Sequence, residues 1–183
     1  GDVLVRTGSS VKPRRQIDAR LLALTEAAVT PGRNYLVKIG TAVTAAETGH
    51  LVFSTLHTNS AAQTIDRIMD SCPPSQQNQL RRQIALVLKA IVSMQLIERS
   101  DGKGLVPVVE ILINSPKIAK QIELGETKEI LEEMENSVAY YKMQSMNQSL
   151  IALLVNGAID LDKAAQLATD PEDLSLKLRH LFP

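Results

Sequence analysis

One cysteine, Cys72, is all that the 183 residues contain. That excludes an internal disulfide and any zinc site built from several thiolates, and it points to a reducing, cytoplasmic setting. Net charge is missing too, because twenty basic residues stand against twenty acidic ones. A neutral chain has no general attraction for nucleic acid or anionic lipid, so a nucleic-acid reader is not expected. Long apolar runs are absent as well. The longest, Ile84 to Ile97, is broken by Lys89, Ser93 and Gln95, and it falls short of the roughly 18 consecutive apolar residues of a membrane span. Asp2, Arg6 and Lys12 interrupt any apolar leader. No G-x-x-x-x-G-K-S/T run occurs, so the chain has no phosphate-cradling loop, and no apolar strand ends in an acidic residue that could hold Mg²⁺.

With 44% hydrophobic and 22% charged residues, what remains is the composition of a packed domain. The charge is unevenly placed, at +4 over residues 1–40 and −4 over the rest. Such a step suggests two units meeting near Gly40. In the first, Asp2–Arg6 and Arg14–Asp18 read as short strands, with Gly8-Ser9-Ser10 and Pro13 supplying turns. Two short strands do not stand alone in water, so this unit belongs to the edge of a larger sheet.

In the second unit, Thr41–Thr48 reads as a helix stopped by Gly49. Leu51–Leu56 is apolar on both faces, as buried parallel strands are. Ser60 caps a helix running to about Met69, and Pro73-Pro74 closes that segment. Leu80, Ile84, Leu88 and Ile91, joined by Val87 and Met94, recur at helical spacing and predict an amphipathic helix over Ser75–Ser93. It is expected to pack on the strand Leu51–Leu56 and to bury Leu88. Arg81 and Arg82 lie off the stripe and read as a solvated face rather than an anion clamp. Gln95–Glu98 and Val106–Ile113 read as a hairpin across Ser100–Gly104, whose Asp101-Gly102 pair is a turn signal. From Ser115 onward the pattern is helical. Ser115-Pro116 and Asp170-Pro171 are cap-proline pairs, and Gly125 and Gly157 mark helix ends.

The candidate chemistry lies at two histidines. His50 and His57 bracket the predicted strand, and seven extended residues span roughly 23 Å, so a shared metal is not expected. For Gly49-His50 one reading is a hydrogen-bonded turn histidine. For His57-Thr58 one reading is a strand end feeding a helix cap. The other places them at the carboxyl end of a parallel strand, where open α/β sheets bind ligands and an imidazole can bond a phosphate oxygen or orient water. Glu47 reads as a solvated helix end and Cys72 as incidental. No Ser-His-Asp or Cys-His nucleophile pattern is present.

The run Thr44 to Ala62, TAAETGHLVFSTLHTNSAA, closely resembles the histidine box of the type IV pilus retraction ATPases of the secretion ATPase superfamily. Similarity continues through Thr64–Ile68, Gln79–Arg81, Val106–Leu112, Met146–Leu150 and Asp170–Leu174. Residues 1–24 resemble, more loosely, the start of the family's N-terminal PAS-like domain, with Ala19 where the family has glycine. The resemblance implies an α/β protein in three parts. Residues 1–40 would be a fragment of the PAS-like α+β domain, and residues 41–114 the C-terminal half of a RecA-like ATPase core with a parallel sheet. Residues 115–183 would be a C-terminal helical bundle.

By the same resemblance the parent would be a ring-forming, hexameric, cytoplasmic motor at the inner membrane, coupling ATP hydrolysis to pilin disassembly and twitching motility. It would use ATP and Mg²⁺ and engage a membrane platform protein of the pilus. The implied catalytic residues are His57 and His50, sensing the γ-phosphate at a subunit interface, and Thr58 would bind the nucleotide. The family places Walker A, the aspartate box and Walker B between segments joined here at Gly40–Thr41, so a chain break is expected there. The chain as written is not expected to hydrolyse ATP alone. A single Cys72 excludes the tetracysteine zinc element of the extension and type II secretion branches. The alternatives are a non-enzymatic interaction module that assembles with intact copies, or another secretion or conjugation motor of the superfamily.

Overall fold

Residues 3–6 and 39–181 are described by the computed structural model. The expected strand Arg14–Asp18 and most of the PAS-like fragment lie outside the described residues. Helix α1 (Ile39–Glu47) is built of small residues and ends where Gly49 takes φ +88°, a left-handed conformation that glycine adopts without strain. It runs unbroken through Gly40–Thr41. Thr44 Oγ1 donates to the Gly40 carbonyl at 2.9 Å, and Ile39 packs on the same core as Val43.

The next expectation is corrected. Strand β2 (His50–Phe53) stops three residues short of Leu56 and pairs antiparallel with β1 (Val3–Arg6), Val3 opposite Phe53. Both sheets among the described residues are two-stranded and antiparallel, so the predicted parallel sheet is absent from them. Apolar density in a short run reports a preference for burial and carries no information on the direction of the partner. Here Phe53 and Leu56 are exposed.

Ser60 caps helix α2 (Ala61–Asp70), as its sequence requires. Helix α3 (Pro74–Val87) is shorter than predicted and packs on α1, α2 and the later helix α4 (Pro116–Leu124) rather than on β2. Leu88 leaves the helix with ψ 137° and is half-buried. Asn114 terminates the helix from a distance, its Nδ2 donating to the carbonyls of Ala85 and Leu88 at 2.9 and 3.0 Å. The remaining residues of the predicted stripe form strand β3 (Ala90–Glu98), paired with β4 (Leu105–Ile113) from Ala90↔Ile113 to Glu98↔Leu105. Ile91 satisfies both a helical and a two-residue period, which is why the helical spacing runs on past Val87. The strand buries Ile91, Ser93 and Ile97 and turns Val92, Met94 and Leu96 outward.

Beyond the hairpin the chain is helical apart from an isolated bridge between Gln144 and Ile111. α4 carries the expected Ser115 cap and Pro116, and it ends at Gly125. Gly125 has φ +79°, and a Cβ there would stand 3.3 Å from the Arg81 guanidinium. Helices α5 (Ile130–Asn136), α6 (Val138–Tyr141), α7 (Met146–Val155), α8 (Leu161–Leu167) and α9 (Pro171–Leu181) complete the order. The β3–β4 hairpin serves two apolar cores. Ile91 and Leu112 at one end join Ile65, Ile118, Ile122, Ile130 and Met134, whereas Ile97 and Val108 at the other join Met146, Leu150, Ile159 and Leu174.

Candidate functional site

The two histidines are treated oppositely. His50 Nδ1 lies 3.1 Å from the Ala45 carbonyl and 3.0 Å from Thr48 Oγ1. Both partners sit at the C-terminus of α1, where carbonyls lack intrahelical donors. His50 thus caps the helix that precedes it, as in the turn reading of its sequence. His57 is exposed and makes no hydrogen bond among the described residues. No hydrogen bond joins the two rings, so the structure does not assemble them into one polar cluster.

What holds His57 in place is the segment after it. Thr64 Oγ1 donates to the Ser60 carbonyl at 2.8 Å, and Thr58 Oγ1 lies 2.7 Å from Thr64 Oγ1. With the Thr64 hydrogen committed, Thr58 is the donor of that pair. Gln63 N donates to Ser60 Oγ, and its side-chain oxygen accepts from Asn59 N at 2.7 Å. These bonds between Thr58 and Thr64 fix the turn in which the imidazole projects. Thr58, expected to bind nucleotide, is half-buried and anchors the turn to α2.

The reading of the sequence assigned no role to Glu110. This residue of β4 is 2% exposed. Its Oε1 accepts from Ala61 N, the first residue of α2, at 2.6 Å, and its Oε2 accepts from Met146 N, the first residue of α7, at 3.4 Å. Burial pushes the carboxyl pKa above its ordinary value, and the two N–H bonds oppose that shift in part. The signal was present in the sequence as one acid inside an otherwise apolar strand. A carboxylate buried there needs donors, and local sequence does not say which.

Two N–H groups in the first turn of α2, those of Ala61 and Gln63, are taken up within the protein by Glu110 and Ser60, so these two are not offered to a phosphate as the free N–H groups of an anion-binding helix N-terminus are. The His57 ring is exposed with both nitrogens unengaged among the described residues, whereas His50 uses Nδ1 and Thr58 its hydroxyl within the fold. Among the described residues no three His, Cys, Asp or Glu side chains are grouped closely enough to share one metal ion. Glu47, at the end of α1, accepts from Gln83 Nε2 at 2.9 Å and belongs to the α1–α3 contact. No helix among the described residues is long and apolar enough to cross a membrane.

Comparison with known proteins shows what the chain is similar to. Residues 37–105 match the family described as Type II/IV secretion system protein. The twitching motility protein of Neisseria gonorrhoeae is 40% identical over 137 residues, covering 75% of this chain and 36% of that protein. The type IV pilus ATPase PilU of Pseudomonas aeruginosa is 39% identical over 138 residues, again 75% of this chain and 36% of the relative. The chain thus spans little more than a third of the length of these relatives. The crystal structure of the pilus retraction motor PilT with bound ADP superposes with a TM-score of 0.67 at 38% identity, covering 75% of this chain and 38% of that one. The Legionella pneumophila ATPase DotB, at 23% identity and a TM-score of 0.59, shares the fold. The match over residues 37–105, the identity to the two curated relatives and the fold shared with PilT point the same way: the chain is similar to type II/IV secretion system proteins, among them twitching-motility and pilus-retraction ATPases.

Proposed function

We propose that this chain is the force-coupling part of a motor ATPase that drives pilus retraction, and that His57 is its nucleotide-facing group. The observation that carries the reading is an exposed imidazole with no hydrogen bond among the described residues, projected from a turn that Thr58, Ser60 and Gln63 tie to α2. The names of the relatives support the reaction, and the ADP bound to the PilT structure supports a nucleotide as ligand. In this reading residues 41–114 complete a RecA-like core, 115–183 form the helical region that meets neighbouring subunits, and 1–40 derive from a PAS-like domain. Thr58 holds the turn beside the nucleotide, and His50 fixes the end of α1 behind it. Phosphate-cradling groups and Mg²⁺ ligands come from outside the described residues, in a cytoplasmic hexamer that acts on a platform protein at the inner membrane.

A neutral imidazole carries one nitrogen that donates a hydrogen bond and one that accepts, which suits a group that distinguishes triphosphate from diphosphate. In the full-length protein His57→Ala should reduce ATP turnover roughly 10-fold to 1000-fold, the scale of losing one positioned group. Its melting temperature should stay nearly constant. Near-normal turnover with a collapsed melting temperature would show His57 to be a structural histidine. The absence of a phosphate loop from this sequence favours a second reading, a non-enzymatic module that assembles with intact copies. Intact mass separates the two: a parent protein well above 20.0 kDa supports the motor, and one of 20.0 kDa supports the module.

A further inference from the structure

We propose that Glu110 is a positioning residue that joins the His57 turn to the C-terminal helices: its carboxylate bridges the first residues of α2 and α7, so that a displacement of the turn is carried into α7. This rests on the reading that His57 faces the nucleotide. The bridge spans long stretches of chain, since Ala61 and Met146 stand 49 and 36 positions from Glu110. Neither helix could recruit this acceptor locally.

The chemistry requires a carboxylate. Two N–H donors arrive from two directions, and only an ionised acid offers an acceptor oxygen to each, whereas glutamine would turn its own NH₂ toward one of them. An aspartate in this place would be one methylene shorter and could not span both helices. The carboxylate also places negative charge at the positive ends of two ten-residue helices, where it is favourable.

The two ends of the bridge are held unequally. α7 is tied to β4 by further bonds: Val109 N donates to Ser149 Oγ at 3.0 Å, and Gln144 Nε2 donates to the Val109 carbonyl at 2.7 Å. Ile111 and Gln144 also exchange backbone bonds at 2.8 and 3.0 Å. β4 and α7 therefore move as one body. On the other side, Ala61 is four residues from His57, and the Thr58–Thr64 bond makes the intervening turn rigid. Of the hydrogen bonds described for the first turn of α2, the one to Glu110 is the link that leaves the local segment. A shift of His57 by a ligand reaches α7 through that bond.

The test is amide hydrogen exchange on the full-length protein, with and without ADP, for wild type, Glu110→Gln and His57→Ala. In wild type, ADP should change exchange in the first turns of both α2 and α7. Glu110→Gln should speed exchange of Ala61, whose bond is the link from the α2 turn to the β4–α7 body, about 10-fold without nucleotide. It should keep the α2 response to ADP and lose the α7 response. His57→Ala should lose both. Glu110→Gln should also lower kcat about 10-fold while the KM for ATP stays within about twofold, the pattern of a group that acts after binding. If Glu110→Gln does not fold, Glu110→Asp serves, with the same selective loss at α7 expected. An α7 response that survives substitution of Glu110, or exchange that rises equally in every element, would overturn the proposal. So would an α2 response in wild type with α7 unmoved, which leaves the nucleotide reading standing. No ADP response anywhere in wild type would overturn that reading, and the coupling role with it.

Discussion

The two cores that share the β3–β4 hairpin are stabilised differently. The core around Ile65, Leu112, Ile118, Ile122 and Ile130 is broad and apolar, with each of these side chains at most 1% exposed. The core around Val108, Met146, Leu150 and Leu174 is smaller and is bordered by a polar network. There Asn147 Nδ2 donates to Asp173 and to the Asp170 carbonyl, Lys177 pairs with both Asp173 and Glu135, and Ser145 Oγ donates to Glu135. Short helices are marginal alone. Where a helical region has little apolar surface to bury, directed polar bonds fix its geometry, and its stability becomes sensitive to pH.

Truncation at the centre of each core should separate them most clearly. Ile122→Ala and Leu150→Ala should each cost about 2 to 5 kcal/mol, the range for large-to-small changes at buried sites. Denaturant unfolding combined with hydrogen exchange should show Leu150→Ala loosening α7 to α9 while α2 to α4 keep their protection. Uniform loss in both variants would show a single cooperative core.

A smaller contrast lies at the caps. Ser145 is 1% exposed, accepts from Gln148 N and forms a reciprocal capping box, whereas Ser60 makes the side-chain bond alone. Ser145→Ala should cost about 1 to 2 kcal/mol and Ser60→Ala about half of that, measured by chemical denaturation.

Acid should act on the smaller core. Burial works against the charged form of Asp173, but the hydrogen bonds from Lys177 and Asn147 outweigh it and hold the carboxyl below its ordinary value of 3.8. A depressed carboxyl pKa adds stability that is fully present above the unfolded value and is lost as pH falls through the folded one. Melting temperature should therefore fall below about pH 4, and Lys177→Met should flatten that fall by an amount worth at most about 1 kcal/mol, since the pairs are partly solvated. A pH response unchanged in Lys177→Met would place the acid sensitivity elsewhere, with Glu133 and its partner Lys117 the next candidates.

The smallest stability effects should come from the histidines. His50→Ala removes the bond to the end of α1 and should cost about 1 kcal/mol or less, whereas His57→Ala should change stability by no more than about 0.5 kcal/mol. The larger loss for His57 would invert the comparison on which its role rests.

Much of the helical architecture was legible because its signals are local. Ser60, Ser115 and the cap-proline pair at Asp170-Pro171 start helices where expected, and Gly49 and Gly125 end them through left-handed φ. The hairpin was legible from the Asp101-Gly102 turn signal, although its first strand begins at Ala90 rather than at Gln95. The turn at Thr58–Ser60 that follows His57 was legible, but not the carboxylate of Glu110 behind it.

By itself, then, the sequence determined where helices begin and stop, which residues turn the chain, and which family resemblance the histidine-box segment carries. These rest on φ preferences, side chain to backbone bonds and spacing within one or two turns. The tertiary structure decided the rest. It set β2 antiparallel, ended α3 at Val87 with a bond from Asn114, turned His50 onto α1 while leaving His57 exposed, and placed Glu110 between two helices. Each of these depends on a partner brought close by folding, 26 to 49 positions away in the cases of Asn114 and Glu110. A buried donor or acceptor must be paired, but its own sequence neighbourhood does not name the pair.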